Sequence, residues 1–257
     1  NQLNTLGSFT AANLSLSNAQ ALAVSGPLTV PGTLSLTTTA GALSLNGDLS
    51  AGTVNLDSAT ALDLGNNITA TTLSLASGGA ISQSGGALSV SGTTAVNAGS
   101  NAITLTGSGN DFGGAVSLAG GTTQITDQNA LTLGTLATGA LTVTSTGALN
   151  LGHGSVGGNL VATSNNGAIT EGSGGLQVSG TSNLQAGSGA ITLTDGSNHF
   201  AGAVTAVGQG VSLVDAGNLT VASLSSGSNG TVNLTAGGSL TLPALGIDTG
   251  TASLTLA

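Results

Sequence analysis

Not one lysine or arginine occurs in the 257 residues, against nine aspartates and glutamates and two histidines. A chain without these cations has nothing to neutralise phosphates with, which excludes nucleic-acid binding as a function. It also excludes a polybasic membrane-surface anchor and any chemistry that clamps phosphate or carboxylate with arginine. Cysteine, methionine, tryptophan and tyrosine are missing as well, and the aromatics are three phenylalanines. Absence of cysteine suits a cytosolic protein, or an exported one that avoids disulfides in transit. Unbroken apolar runs are about as short as Ala21-Leu22-Ala23-Val24. A bilayer-spanning segment needs about 20 apolar residues, so no membrane insertion is expected.

What is present is just as unusual. Charged residues make up 4% of the chain, where an ordinary domain has about a quarter, and glycine fills 44 positions. Yet 39% of the residues are hydrophobic, mostly Leu, Val, Ile and Ala, which is too apolar for a solvated coil. The chain is therefore expected to fold. A net charge of −9 and a pI near 4.1 keep its surface weakly anionic. It opens on Asn without a basic stretch leading into an apolar one, so no signal peptide is visible, and it reads as a segment of a longer protein.

Internal repetition sets the plan. Residues 79–136 align with residues 167–224 at a constant offset of 88 without a gap, with 27 identities in 58 pairs. Ala102-Ile103-Thr104-Leu105-Thr106 recurs as Ala190-Ile191-Thr192-Leu193-Thr194, and Val90-Ser91-Gly92-Thr93 as Val178-Ser179-Gly180-Thr181. Asn110-x-Phe112-x-Gly114-Ala115-Val116 recurs as Asn198-x-Phe200-x-Gly202-Ala203-Val204. The long repeat divides the chain as 79–166 and 167–257 within one continuous body, 1–257.

A shorter rhythm runs inside it. Apolar pairs at i and i+2 recur from Leu14/Leu16, Leu22/Val24 and Leu34/Leu36 through Ile103/Leu105 and Ile191/Leu193 to Leu254/Leu256. Such alternation turns both members of a pair inward and the Ser, Thr or Asn between them outward. Gly, Asn and Ser clusters, the chemistry of tight turns, separate the pairs. The pattern predicts strands of three to five residues starting every seven or eight, and no helix. A string of β-sandwiches would need bulky core residues, which the composition lacks. A narrow solenoid suits stacked aliphatic residues with Gly at the corners. The expectation is an all-β parallel β-solenoid with about three short strands per coil of roughly 22 residues, so that 88 residues make four coils. Buried Asn is expected to ladder through amide hydrogen bonds, and uncapped ends carry a hazard of self-association.

Runs such as Asn110-Asp111-Phe112-Gly113-Gly114-Ala115-Val116-Ser117-Leu118, Ala130-Leu131-Thr132-Leu133-Gly134 and Ser164-Asn165-Asn166-Gly167-Ala168-Ile169-Thr170 resemble filamentous-haemagglutinin-type repeats. Those repeats form the long shafts of large bacterial exoproteins exported by two-partner secretion. The resemblance covers nearly the whole chain, most clearly residues 79–242, and lies in degenerate repeats rather than a unique motif. It implies a right-handed parallel β-helix, secretion or display on the bacterial cell surface, and a role in adhesion, aggregation, biofilm or toxin delivery. The implied partners are an outer-membrane transporter during export, and a host or bacterial surface receptor or polysaccharide engaged by regions outside this segment. The Asn-Pro-Asn signature of the family's secretion domain is absent, and Pro27, Pro31 and Pro243 stand in no such context. This segment therefore resembles shaft.

Residues with chemical potential are few. His153 and His199 have no second His or Cys at metal spacing and read as surface turn residues. Asp195, Ser197 and His199 are close in sequence, but a nucleophile, base and orienter need a pocket. Glu171, Asp195 and Asp215 are spaced to stack on adjacent coils, as a Ca²⁺ or acid–base ladder would be. The first copy of the repeat has Gln83, Gly107 and Asp127 at those places, so solvated turn acids are the preferred reading. Gly107-Ser-Gly109-Asn-Asp111 is a faint match to the Gly- and Asp-rich repeats of Ca²⁺-binding solenoids, without tandem copies. Two rival functions remain: a polysaccharide-binding or -cleaving β-helix, which wants clustered carboxylates and often a basic residue, and an ice-binding solenoid. The Thr-x-Thr pairs Thr104/Thr106, Thr142/Thr144 and Thr192/Thr194 would serve the latter, but stepping one coil from each finds no other. The expectation is a non-enzymatic shaft with no catalytic, metal or cofactor-binding residue and no cofactor.

Overall fold

The computed structural model describes residues 1–257. The fold is an all-β parallel β-solenoid of about 13 turns with about 20 residues per turn and no helix. Two compact units, Asn1–Gln128 and Asn129–Ala257, make it up.

In the first unit one ladder runs Thr5–Leu6, Leu22–Val24, Leu43–Leu45, Leu62–Leu64, Ile81–Gln83, Ile103–Leu105 and Thr123–Asp127, every neighbour parallel. The register puts like on like: Leu22 pairs with Leu43, Leu43 with Leu62, Leu62 with Ile81 and Ile81 with Ile103. All five are 0–1% exposed. A second stack, Leu28, Leu49, Ile68 and Leu88, and a third, Leu34, Val54, Leu73 and Thr94, close the rest of the perimeter. Each inward residue lies on its equivalent in the neighbouring turn, so the core grows with length rather than with diameter.

In the second unit the stacks run Leu141, Leu160, Ser182 and Val204; Leu149, Ile169, Ile191, Val211 and Val232; and Val156, Val178 and Phe200. The two copies of the long repeat have the same internal register. Ile81 pairs with Ile103 and Ile103 with Thr123, as Ile169 pairs with Ile191 and Ile191 with Val211.

The turn length is not constant. Ile81 to Ile103 is a step of 22 residues, but Leu43 to Leu62 and Leu62 to Ile81 are steps of 19. At about 20 residues per turn, 88 residues exceed four turns, which corrects the count of four coils of 22. The two copies reproduce the same sequence of unequal turns, 22 and then 20 residues, not a multiple of one coil. Most strands are as short as expected, and a few run longer. Leu28–Thr38, Leu49–Ser58 and Ile68–Ser77 are 11, 10 and 10 residues long. Pro31-Gly32 interrupts the alternation but not the strand: the register shifts between Val30 and Thr33 and pairing resumes. The Gly32 N–H still donates to Ala12 O at 2.9 Å, so the chain turns its corner within a continuous ladder.

The alternating pairs are inward as expected from Leu22/Val24 through Leu219/Val221. Leu14 and Leu16 are half-buried, and Leu254 and Leu256 are exposed, because Leu14–Asn18 and Leu254–Leu256 each pair with one neighbour only. Glycine serves where turns come closest. A Cβ on Gly189 would lie 2.0 Å from the Gly167 carbonyl oxygen, and one on Gly167 would lie 2.4 Å from the Gly147 carbonyl carbon.

Candidate functional site

The polar groups that carry distinctive geometry lie at two corresponding turns, one per copy of the long repeat. In the first, the chain leaves Ile103–Leu105, turns back so that Asn110 N–H donates to Gly107 O at 3.1 Å, and enters Asp111–Phe112. Asn110 is fully buried. Its Oδ1 accepts the Leu88 N–H at 2.9 Å, and its Nδ2 donates to Gln83 Oε1 at 2.9 Å. Two strands further on, at the end of Thr123–Asp127, the Asp127 carboxylate, itself 0% exposed, accepts the Phe112 N–H at 2.7 Å. The second copy repeats this. Asn198 Oδ1 accepts the Leu176 N–H at 2.7 Å, and Asp215 Oδ2 accepts the Phe200 N–H at 2.7 Å. Asp215 Oδ1 also accepts the Gly217 N–H at 2.6 Å.

Asp215 therefore corrects the reading of solvated turn acids, and Asp127 holds the same place in the first copy. Both are interior anchors that satisfy backbone donors which neighbouring strands leave open at a corner. The expected amide ladder is modified as well. Asn110 and Asn198 bond mainly to backbone amides and to Gln83 or Glu171, not to one another's kind.

The histidines begin strands rather than sit in turns. His153 opens His153–Val156, half-buried, with its Nε2 3.4 Å from Thr135 Oγ1. His199 opens His199–Phe200 with a half-exposed ring whose Nδ1 faces Asp215 Oδ1 at 3.3 Å. Asp215, not Asp195, is thus the carboxylate beside His199. Asp195 instead organises its own turn: Oδ1 accepts the Ser197 N–H at 2.8 Å and Oδ2 the Gly174 N–H at 2.9 Å. Those donors hold its carboxyl below the ordinary value. The Asp195, Ser197 and His199 constellation is not assembled as a triad.

Of the acidic ladder, two members meet. Glu171 Oε1 accepts the Asp195 N–H at 2.6 Å and Asn198 Nδ2 at 3.0 Å, while Asp215 faces Phe200 and His199. No group of three or more His, Cys, Asp or Glu is placed to hold a metal ion. In the segment Gly107-Ser-Gly109-Asn-Asp111, the Gly107 N–H donates to Gln83 Oε1 at 2.9 Å and the Asn110 side chain to Gln83 Oε1 at 2.9 Å. The Thr-x-Thr pairs are each flanked by other residues: Thr104 lies between Ser82 and Gln124, Thr142 beside Val161, and Thr192 beside Ser212.

A concavity of about 560 Å³ is lined by Ser225, Gly227, Ser228, Asn229, Asp248 and Gly250. Its polar atoms are used locally: Asp248 Oδ1 accepts the Gly250 N–H at 2.8 Å, and Asn229 Oδ1 accepts Thr251 N–H and Oγ1–H at 2.9 and 2.8 Å. Sequence reasoning missed the Asn110–Asp127 and Asn198–Asp215 anchors. Their signal was available in the repeat, because Asn, Phe and Asp recur at these places while the residues between Val116 and Asp127 drift.

No curated protein and no solved structure matches the chain. A family model described as repeats of unknown function, DUF5649, matches residues 1–49, 51–119 and 138–207, which is most of the sequence. The matched segments follow the stacked turns just described, and by that match the chain belongs to the family of repeats of unknown function, DUF5649.

Proposed function

We propose that this chain is a structural shaft of a secreted or surface-displayed bacterial exoprotein of the filamentous-haemagglutinin kind, which holds a distal binding or toxin region away from the cell. The observation that carries the reading is the like-on-like stacking of turn upon turn, with buried polar groups spent on holding the corners. A nearest-neighbour stack gains length without needing a larger core, which is what a spacer requires. The outward positions support it. Thr29, Ser50, Thr69 and Ser89 lie in register on successive turns, a short, neutral, polar ladder with no long side chain to grip a partner. The absence of cysteine fits passage through an outer-membrane transporter as an unfolded chain, each turn then folding on the last. The shaft acts without catalysis.

Antibody against this chain should label intact producing cells or their medium, and removing whole turns from the parent protein should weaken adhesion while its binding region stays intact. Labelling that appears only after lysis would contradict display. Turnover of acidic polysaccharides by the purified chain, with Ca²⁺ supplied, would replace the shaft by an enzyme.

A further inference from the structure

Among the differences between the two corresponding turns, the exchange of Gln83 for Glu171 is the one whose consequence is a proton. In the first copy the side-chain amides of Gln83 and Asn110 pair reciprocally. Gln83 Nε2 donates to Asn110 Oδ1 at 2.8 Å, and Asn110 Nδ2 donates to Gln83 Oε1 at 2.9 Å. Gln83 Oε1 also accepts the Gly107 N–H at 2.9 Å, and Nε2 also donates to Gly86 O at 3.0 Å. The second copy has Glu171 in the place of Gln83. Glu171 Oε1 keeps both acceptor roles, toward Asn198 Nδ2 at 3.0 Å and the Asp195 N–H at 2.6 Å. Glu171 Oε2 takes the role of the amide nitrogen, and it is buried with no hydrogen-bond partner.

The partners of Gln83 Nε2 were both acceptors, Asn110 Oδ1 and Gly86 O, and their equivalents by sequence are Asn198 Oδ1 and Gly174 O. An ionised carboxylate has only lone pairs to offer two acceptors, whereas a neutral carboxyl has an O–H. We propose that folded chain carries Glu171 as the neutral acid, its Oε2–H donating where Gln83 uses N–H, so that this turn is a proton-binding latch which loosens when the acid ionises.

The surroundings act in the same direction. Burial raises the Glu171 carboxyl above its ordinary 4.5, and the Asp195 carboxylate adds to the rise; the Asp195 N–H, the Asn198 amide and the Thr194 N–H oppose it without cancelling it. Asp195, on the turn after, is held below its ordinary 3.8 and so stays ionised where Glu171 titrates. On the turn before, His153 stands against Gly174, and His199, next to Asn198, is engaged with Asp215. No lysine or arginine exists to stabilise an ionised Glu171.

The sign follows from proton uptake. A folded-state value above the unfolded one means that the native chain holds the extra proton, so this contribution is full below about pH 4.5 and is lost as pH rises through the folded value. Asp195 works the other way and in a lower window, its contribution being lost as pH falls below 3.8.

Urea unfolding of the intact chain from about pH 4.5 to about pH 8 tests the latch. The wild-type midpoint should fall across that range, and E171Q should remove that fall and be the more stable protein at the neutral end. Q83E should acquire a second fall of the same sign. Infrared spectra should show a protonated-carboxyl C=O band persisting above pH 4.5 in wild type and absent from E171Q. An E171Q protein with the wild-type pH slope, or one that keeps that band, overturns the proposal. So does an E171Q protein that fails to fold, because glutamine is the working residue at the equivalent place.

Discussion

The Phe200 N–H donates to the buried carboxylate of Asp215 at 2.7 Å, and 88 residues earlier the Phe112 N–H donates to Asp127 at the same distance. Each phenylalanine enters the core directly after a turn, Phe112 onto Val90 and Phe200 onto Val178, where its amide would otherwise face the core unpaired. The carboxylate of a strand one turn along supplies the acceptor. An acid in the interior of a chain with 4% charge is thus part of the backbone's own hydrogen-bond accounting.

Asp215→Ala should therefore destabilise the chain by about 3 kcal/mol, because it leaves the Phe200 amide unpaired in the interior and removes the acceptor of the half-buried Gly217 amide. Asp215→Asn, which retains one acceptor oxygen, should cost less. Urea unfolding of both variants checks the order, and equal losses would show that the carboxylate's acceptor role is not what matters.

Thr94 offers a change in the other direction. It stacks between Leu73 and Val116, is 2% exposed, and its hydroxyl has no partner. Ser182, its equivalent in the second copy, is in the same state. Removing an unpaired buried hydroxyl while keeping the shape should stabilise, so Thr94→Val is expected to gain about 1 kcal/mol in the same assay.

Leu62 lies between Leu43 and Ile81 with 0% exposure. Leu62→Ala should cost about 2–5 kcal/mol, since adjacent turns cannot collapse onto the void without breaking their own ladder. Thr69, exposed on the outer face of the same turn, should tolerate alanine within about 0.5 kcal/mol. Equilibrium unfolding of the pair separates the inner ladder from the outer one.

Much of this arrangement was legible in the sequence, and the parts that were not have physical reasons. Pairs such as Leu43/Leu45 and Leu62/Leu64 declared their inward direction because a strand's side-chain period is two and nothing else in this chain competes with it. Corners were harder. Pro31-Gly32 has the composition of a turn, yet neighbouring strands carry the ladder past it, and only the register shows that. Asp215 reads as a solvated turn acid because a carboxylate is usually solvated, and what holds it and Asp127 inside is a backbone N–H, which leaves no mark on composition. The meeting of Glu171 with Asp195 was visible as a spacing. That Oε2 would be the orphaned atom required Gln83 as a reference.

The central claim is that the chain is a stack in which each turn is held chiefly by its neighbours, as a shaft would be. Pulling a single molecule by its two ends tests this directly. The stack predicts lengthening in a series of small steps, each releasing about one turn of about 20 residues, or roughly 70 Å of extended chain at about 3.5 Å per residue. Release of the whole chain in one or two large steps would contradict it, since that is how globular domains with their own closed cores give way.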